Sequence, residues 1–221
     1  TLQEPFLTGI FSCSSHHPFK IPKEYENKFV KGKHPMHECV QYTDHSLRLF
    51  FNKIKKTDWF KNTLFVITAD HTNVSYGDKY HTSLGIFKVP IIFYDPSRPE
   101  IAEKTKDIIQ HIDIMPSILS YLNYPKPFKS FGANIFDKKK EKFAINYNNN
   151  YQLVIDNKSI IYSEINDEIT NIYDLENDPT FKTNILNITS SENLMLYKQK
   201  IKAFIQTYNN TIINNELQYE G

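Results

Sequence analysis

Asp70 and His71 close an apolar run, Leu64-Phe-Val-Ile-Thr68, and this is the strongest chemical signal in the chain. A carboxylate and an imidazole at the end of a stiff strand can both reach one cation where the backbone turns. They suit Zn²⁺ or Mn²⁺ better than Ca²⁺ or Mg²⁺, because imidazole prefers borderline metals. A strand-end Asp that caps the next turn beside a half-exposed His has the same spacing, and spacing alone leaves both readings open. His16 and His17 form a second candidate, in a polar loop beyond the apolar run Pro5–Ser12. A His held there could bind a phosphate or sulfate oxygen or protonate a leaving group; a chance His pair in a surface loop is the alternative. His81 follows in the loop after Asp70-His71, either returning to the same site or standing as a surface His. His34, His37, His45 and His111 read as structural, because they lie on or just before helical patterns. Cys13 and Cys39 make neither a disulfide framework nor a paired thiolate site, and both read as small buried hydrophobes.

The elements that position these residues follow from apolar spacing. Pro5–Ser12 reads as a buried strand, followed by an extended linker marked by Pro18, Pro22 and Pro35. Met36, Val40, Thr43, Leu47, Phe50 and Ile54 step by three and four and predict a helix. Leu64–Thr68 is continuously apolar, as in a central parallel strand covered on both faces, and Val89–Tyr94 predicts the next strand. The loop between them is long enough to point to function. A short helix is predicted around Ile112–Leu122. Beyond about residue 140 the texture changes to Phe143–Tyr147, Tyr151–Ile155 and Ser159–Tyr162, three short strands separated by Asn-rich turns, with Asn171–Asp174 as a further strand. Leu194, Tyr197, Ile201, Phe204, Ile205, Tyr208 and Ile212 predict a terminal amphipathic helix. Lys138–Lys142 reads as a solvated loop.

Composition bounds the function. The 221 residues suffice for one large domain or two small ones, and 40% hydrophobic with 14% aromatic residues is a folding composition. With 26 basic and 25 acidic side chains the net charge is +1, so nucleic acid is not an expected partner. The six glycines have no spacing of a dinucleotide fingerprint or a P-loop. No segment approaches the roughly 20 apolar residues that span a bilayer. The chain starts at Thr1 and runs at once into an apolar stretch, which reads as a piece cut from something longer. Lys far exceeds Arg, and Asn, Ile and Tyr abound, as in an AT-rich bacterial genome.

Three segments together resemble one family: Thr63-Leu-Phe-Val-Ile-Thr-Ala-Asp-His71, Val89-Pro-Ile-Ile-Phe-Tyr94 and His111-Ile-Asp-Ile-Met-Pro-Ser-Ile-Leu119. They look like the sulfatase and phosphoglycerol-transferase branch of the alkaline phosphatase superfamily, above all its lipoteichoic acid synthase-like members. Ser14-Ser15-His16-His17-Pro18-Phe19 is similar to the loop that carries the family's substrate-phosphate His. Tyr42-Thr43-Asp44 resembles the start of a family helix, and Asn171-Ile-Tyr-Asp-Leu-Glu-Asn-Asp-Pro179 resembles a late family turn.

The resemblance implies an α/β, alkaline phosphatase-like fold: a mainly parallel sheet flanked by helices, a small antiparallel sheet and a C-terminal helix. Residues 1–140 are then the C-terminal part of the catalytic α/β domain, and 141–221 an antiparallel appendix with the terminal helix. It implies one divalent metal, Mn or Zn, with Asp70 and His71 as two ligands and His16, His17 and His81 on the substrate side. The Glu ligand and the Thr nucleophile, which would form a covalent phospho-enzyme, fall upstream of Thr1. A phosphoglycerol or phosphoethanolamine transferase is implied, acting on a phospholipid or glycolipid substrate, anchored by absent N-terminal helices and extracytoplasmic at a bacterial membrane. A sulfatase, or an inactive fragment that only binds, is the alternative.

Overall fold

Apolar spacing predicts a helix over residues 36–54, and α1 spans Met36–Ile54. The computed structural model describes residues 3–73, 76–101 and 105–217, which fall into two units. The first is drawn from Thr1–Phe65 and Phe93–Ala102, the second from Val66–Ile92 and Glu103–Gly221.

In the first unit, Tyr25 and Phe29 pack on Tyr42 and His45 of α1 with ring centroids 5.1–6.3 Å apart. His45 is thereby structural, as its position predicts, and so is His34, edge-on to Phe19 at 5.0 Å. Gln41 clamps Val30 from both sides, donating to its carbonyl at 2.8 Å and accepting from its N–H at 3.2 Å. The aromatic contacts settle which side of α1 is covered. Cys39 and Ile54 are buried, whereas Val40, Leu47 and Phe50 of the predicted apolar face are exposed. A second aromatic group joins Phe51, Phe60, Phe65 and Tyr94.

Pro5–Ser12 does not form the predicted strand. Leu7, Ile10 and Phe11 are exposed, and among the described residues no strand pairs with the run. An apolar run becomes a strand only where a neighbour takes its backbone N–H and C=O groups. Cys13, just after the run, is exposed, against the expectation of burial, while Cys39 is fully buried.

The two predicted strands near the candidate pair form as β1 (Phe65–Thr68) and β2 (Ile91–Tyr94), paired in a two-stranded sheet. In the second unit, α2 spans Ile114–Tyr121 and is entered through a capping box, with the Gln110 N–H donating to Asp113 Oδ2 at 2.9 Å. Asp113 also accepts the Ala133 N–H at 2.7 Å. Burial pushes its carboxyl above the usual range, and these two N–H bonds hold the rise in check.

Period-two alternation then builds the larger sheet among the described residues. β3 (Ala144–Asn148), β4 (Asn150–Ile155), β5 (Lys158–Ser163) and β6 (Glu168–Asp174) form an antiparallel meander in that order. Asp156 and Asn157 take φ values of 48° and 57°, so a two-residue primed turn joins β4 to β5. One face presents Leu153, Ile155, Ile160, Tyr162 and Ile172. Against it lies α3 (Ser191–Ile213), which contributes Tyr197 and Ile201. The Ser190 hydroxyl caps α3 by accepting the Asn193 N–H at 3.3 Å. Each of these buried aliphatic side chains contributes about 1.5–3 kcal/mol.

Candidate functional site

β1 ends at Thr68, and the next turn carries Asp70 and His71. Asp70 Oδ1 accepts the His71 backbone N–H at 2.9 Å, so the carboxylate folds over its neighbour. His71 Nδ1 lies 2.7 Å from the Thr72 carbonyl, which can only accept, so the proton sits on Nδ1. Nε2 then carries the lone pair that a metal needs, and it lies 3.5 Å from Asp70 Oδ2. Two donors at about 2.1 Å from a tetrahedral zinc are themselves about 3.4 Å apart, so the spacing fits a shared cation. More than half of each side chain is exposed. Among the described residues no third His, Cys, Asp or Glu groups with them as a metal site.

The turn is pinned on both sides. His111 Nε2 donates to the Ala69 carbonyl at 2.8 Å, and the Thr68 hydroxyl donates to the Pro90 carbonyl at 2.9 Å. The Thr72 hydroxyl donates to the Ile86 carbonyl. His111 is thus structural, as its position predicts, but what it holds is the backbone beside Asp70.

His81 ends a short 3₁₀ turn, Asp78–Tyr80, in the long loop after β1. A second 3₁₀ turn, Gly85–Phe87, lies so close that a Cβ on Gly85 would come within 2.4 Å of the Lys79 carbonyl oxygen. Only glycine permits this approach. Ser83 accepts a 3.1 Å bond from Gln152 Nε2, which ties the loop to β4. Asp78, His81 and Ser83 thereby form one wall of a cleft of about 480 Å³, whose floor is the face of the sheet opposite α3. His81 lines this cleft.

In the first unit, His16 and His17 are held by a turn in which the His16 N–H donates to the Cys13 carbonyl at 3.1 Å. His16 Nδ1 bonds the His17 carbonyl at 2.9 Å, leaving Nε2 as the available nitrogen. His17 lies edge-on to Phe19 at 5.8 Å. Both imidazoles line a hollow of about 460 Å³ together with Lys20, whose ammonium adds the positive charge an anionic oxygen requires. The structure therefore brings Asp70 to His71 and His16 to His17, and it gives His81 a polar cleft of its own.

Sequence reading missed that cleft. Asn146, Asn148 and Asn150 belong to a segment read as a run of strands broken by Asn-rich turns, yet all three lie on paired strands and only Asn149 takes the turn conformation, at φ 62°. The usable signal was their spacing of two, which puts them on one face.

A family model described as Sulfatase matches residues 1–124. The chain is 24% identical over 191 residues to an arylsulfatase of Clostridium perfringens, across 77% of this chain and 39% of that protein. It is also 24% identical over 214 residues to the lipoteichoic acid synthase of Staphylococcus aureus, across 84% of this chain and 33% of that one. It spans between a third and two fifths of the length of these curated relatives. A solved structure described as a protein in the alkaline phosphatase superfamily, from Vibrio parahaemolyticus, is 21% identical and superposes with a TM-score of 0.72 over 94% of this chain and 49% of that chain. That likeness carries the fold: α/β, with small sheets and a C-terminal helix.

Proposed function

The chain belongs to the sulfatase family, and from that premise we propose that it is part of the catalytic domain of a metal-dependent phosphoglycerol or phosphoethanolamine transferase. Its substrates are lipid-linked and its place is the cell envelope. The observation that carries the proposal is the donor pair after β1, Asp70 Oδ2 and His71 Nε2 at 3.5 Å. An Asp-His pair offers a borderline metal what it prefers, whereas a calcium-type site is built from oxygens alone. When bound, a Mn or Zn ion supplies charge that acidifies an attacking hydroxyl and balances the phosphoryl oxygens. His71 keeps its proton on Nδ1 through the Thr72 carbonyl, so Nε2 stays a ligand. His111 holds the Ala69 carbonyl and so fixes the turn from which Asp70 departs. In the first unit, Lys20 beside His16 gives an anionic oxygen both a donor and a positive charge. The envelope setting rests on the likeness to lipoteichoic acid synthase. Among the described residues no helix is long and apolar enough to cross a membrane.

Sulfuric ester hydrolysis is a second reading, favoured by the likeness to arylsulfatase. The metal assignment is tested by adding Mn²⁺ to the isotope-labelled chain and following paramagnetic broadening. Two ligands bind weakly, so broadening of the 69–72 amides at high metal concentration is expected, and its loss in Asp70→Ala and His71→Ala. Broadening centred elsewhere, or tight stoichiometric binding, refutes the pair. The group transferred is tested with the full open reading frame that carries this chain. Diacylglycerol released from phosphatidylglycerol or phosphatidylethanolamine supports transfer, and sulfate released from an aryl sulfate ester supports hydrolysis instead.

A further inference from the structure

The four-stranded sheet has two faces, and its core face is accounted for by α3. The other face is not an ordinary solvated surface. Register pairs Asn146 with Gln152 and Asn148 with Asn150, which places four carboxamides side by side. Gln152 is buried and spends its Nε2 on Ser83 and Ser159, whereas the three Asn carboxamides each carry both a donor and an acceptor, the combination that matches a hydroxyl group. The loop carrying Asp78 and His81 rises over one side of this face, and Phe181 stands over another, enclosing the cleft of about 480 Å³. That volume is within the range of small-molecule sites.

We propose that this cleft binds a neutral polyhydroxylated group, a sugar ring or a polyol. Three observations carry the assignment. Asn146 lines the cleft, and its Oδ1 is buried without a hydrogen-bond partner among the described residues, a polar atom the fold leaves unsatisfied beside the cleft. Tyr173, on the same face of β6, stacks on Phe181 at 4.4 Å with the rings 8° from parallel, giving an aromatic wall for the C–H face of a sugar or polyol. Phe181 makes this wall at φ 59°, a conformation that a bulky side chain rarely adopts and that collects at functional sites. The charge agrees as well. No Lys or Arg lines the cleft, while Asp78 does, so phosphate and sulfate are disfavoured and vicinal hydroxyls are not.

The assignment goes beyond the transferase reading and does not depend on which group is transferred. It is tested by titrating the labelled chain with maltose, glycerol and inorganic phosphate, following the side-chain amide signals of Asn146 and Asn148. Maltose or glycerol is expected to move both signals, and phosphate neither. Movement by maltose alone identifies a sugar, and movement by glycerol a polyol; either supports the site. Asn148→Ala, at an exposed strand position, should weaken binding at least tenfold with the thermal midpoint unchanged, and Asn146→Leu should do the same. The proposal is overturned if neither hydroxylated probe moves the signals, if both variants bind as the parent does, or if phosphate displaces the sugar. Mn²⁺ broadening at residues 69–72 reads out separately, so failure of one assignment leaves the other standing.

Discussion

Two stretches rich in apolar side chains meet opposite fates in this molecule. In the four-stranded sheet and α3, Ile155, Ile160, Ile172 and Ile201 have no exposed surface, whereas Leu7 in the Pro5–Ser12 run is 91% exposed. Apolar content therefore does not by itself predict burial. The meander supplies its own neighbours, since each strand is joined to the next by a short turn and finds its backbone partners within a few residues. Pro5–Ser12 has no such neighbour at hand in sequence. A strand that depends on distant partners is legible only when those partners are known.

Substitutions can break that contrast. The largest effect is expected for Ile160→Ala, which removes a fully buried side chain facing α3 and should cost about 2–5 kcal/mol by urea denaturation. A loss below 1 kcal/mol would mean that the sheet and α3 are not the packed core described.

Tyr162→Phe comes next, because it removes the 2.6 Å hydrogen bond from the Tyr162 hydroxyl to Asp167 at about 0.5–1.5 kcal/mol. This change also has a pH signature. Burial, then the hydrogen bond and charge of Asp167, push the Tyr162 hydroxyl up from 10.0 to about 12. The stability linked to that shift is fully present below pH 10 and lost as pH rises through about 12. The Phe variant should therefore show a shallower alkaline limb than the parent. Asp167 is held well below the usual carboxylate range, first by the Tyr162 hydroxyl and then by Lys202 and Lys198 of α3. Its contribution is present above pH 3.8 and lost as pH falls below that value, so the parent should weaken in acid and the Phe variant weaken less steeply. The smallest effect is expected for Leu7→Ser, within about 0.5 kcal/mol of the parent in the same denaturation experiment. A larger loss would place Leu7 in a packed environment and erase the contrast.

Much of this arrangement was legible beforehand. Short apolar segments between Asn-rich turns over 143–174 placed all four strands to within a few residues, and steps of three and four placed α3. Both signals are local, because strand and helix fix which side chains share a face. Asp70 and His71 were legible as a pair because their sequence adjacency at a strand end nearly forces proximity. The covered face of α1 was not legible. Val40, Leu47 and Phe50 have the periodicity of a core stripe, but Tyr25 and Phe29 cover the Tyr42 and His45 side instead. Asn148 and Asn150 were read from local propensity as turn formers, and cross-strand pairing overrode that preference.

By itself, then, the sequence determined the order and kind of the main helices and strands from α1 onward, the family motifs, and a carboxylate beside an imidazole at the end of a strand. These depend on neighbours within a few residues. Tertiary structure decided the hold of His111 on Ala69 and the cleft that draws Asp78, His81, Asn146 and Phe181 around one volume. Such contacts join residues far apart along the chain, and no local propensity encodes which of the many possible pairings closes.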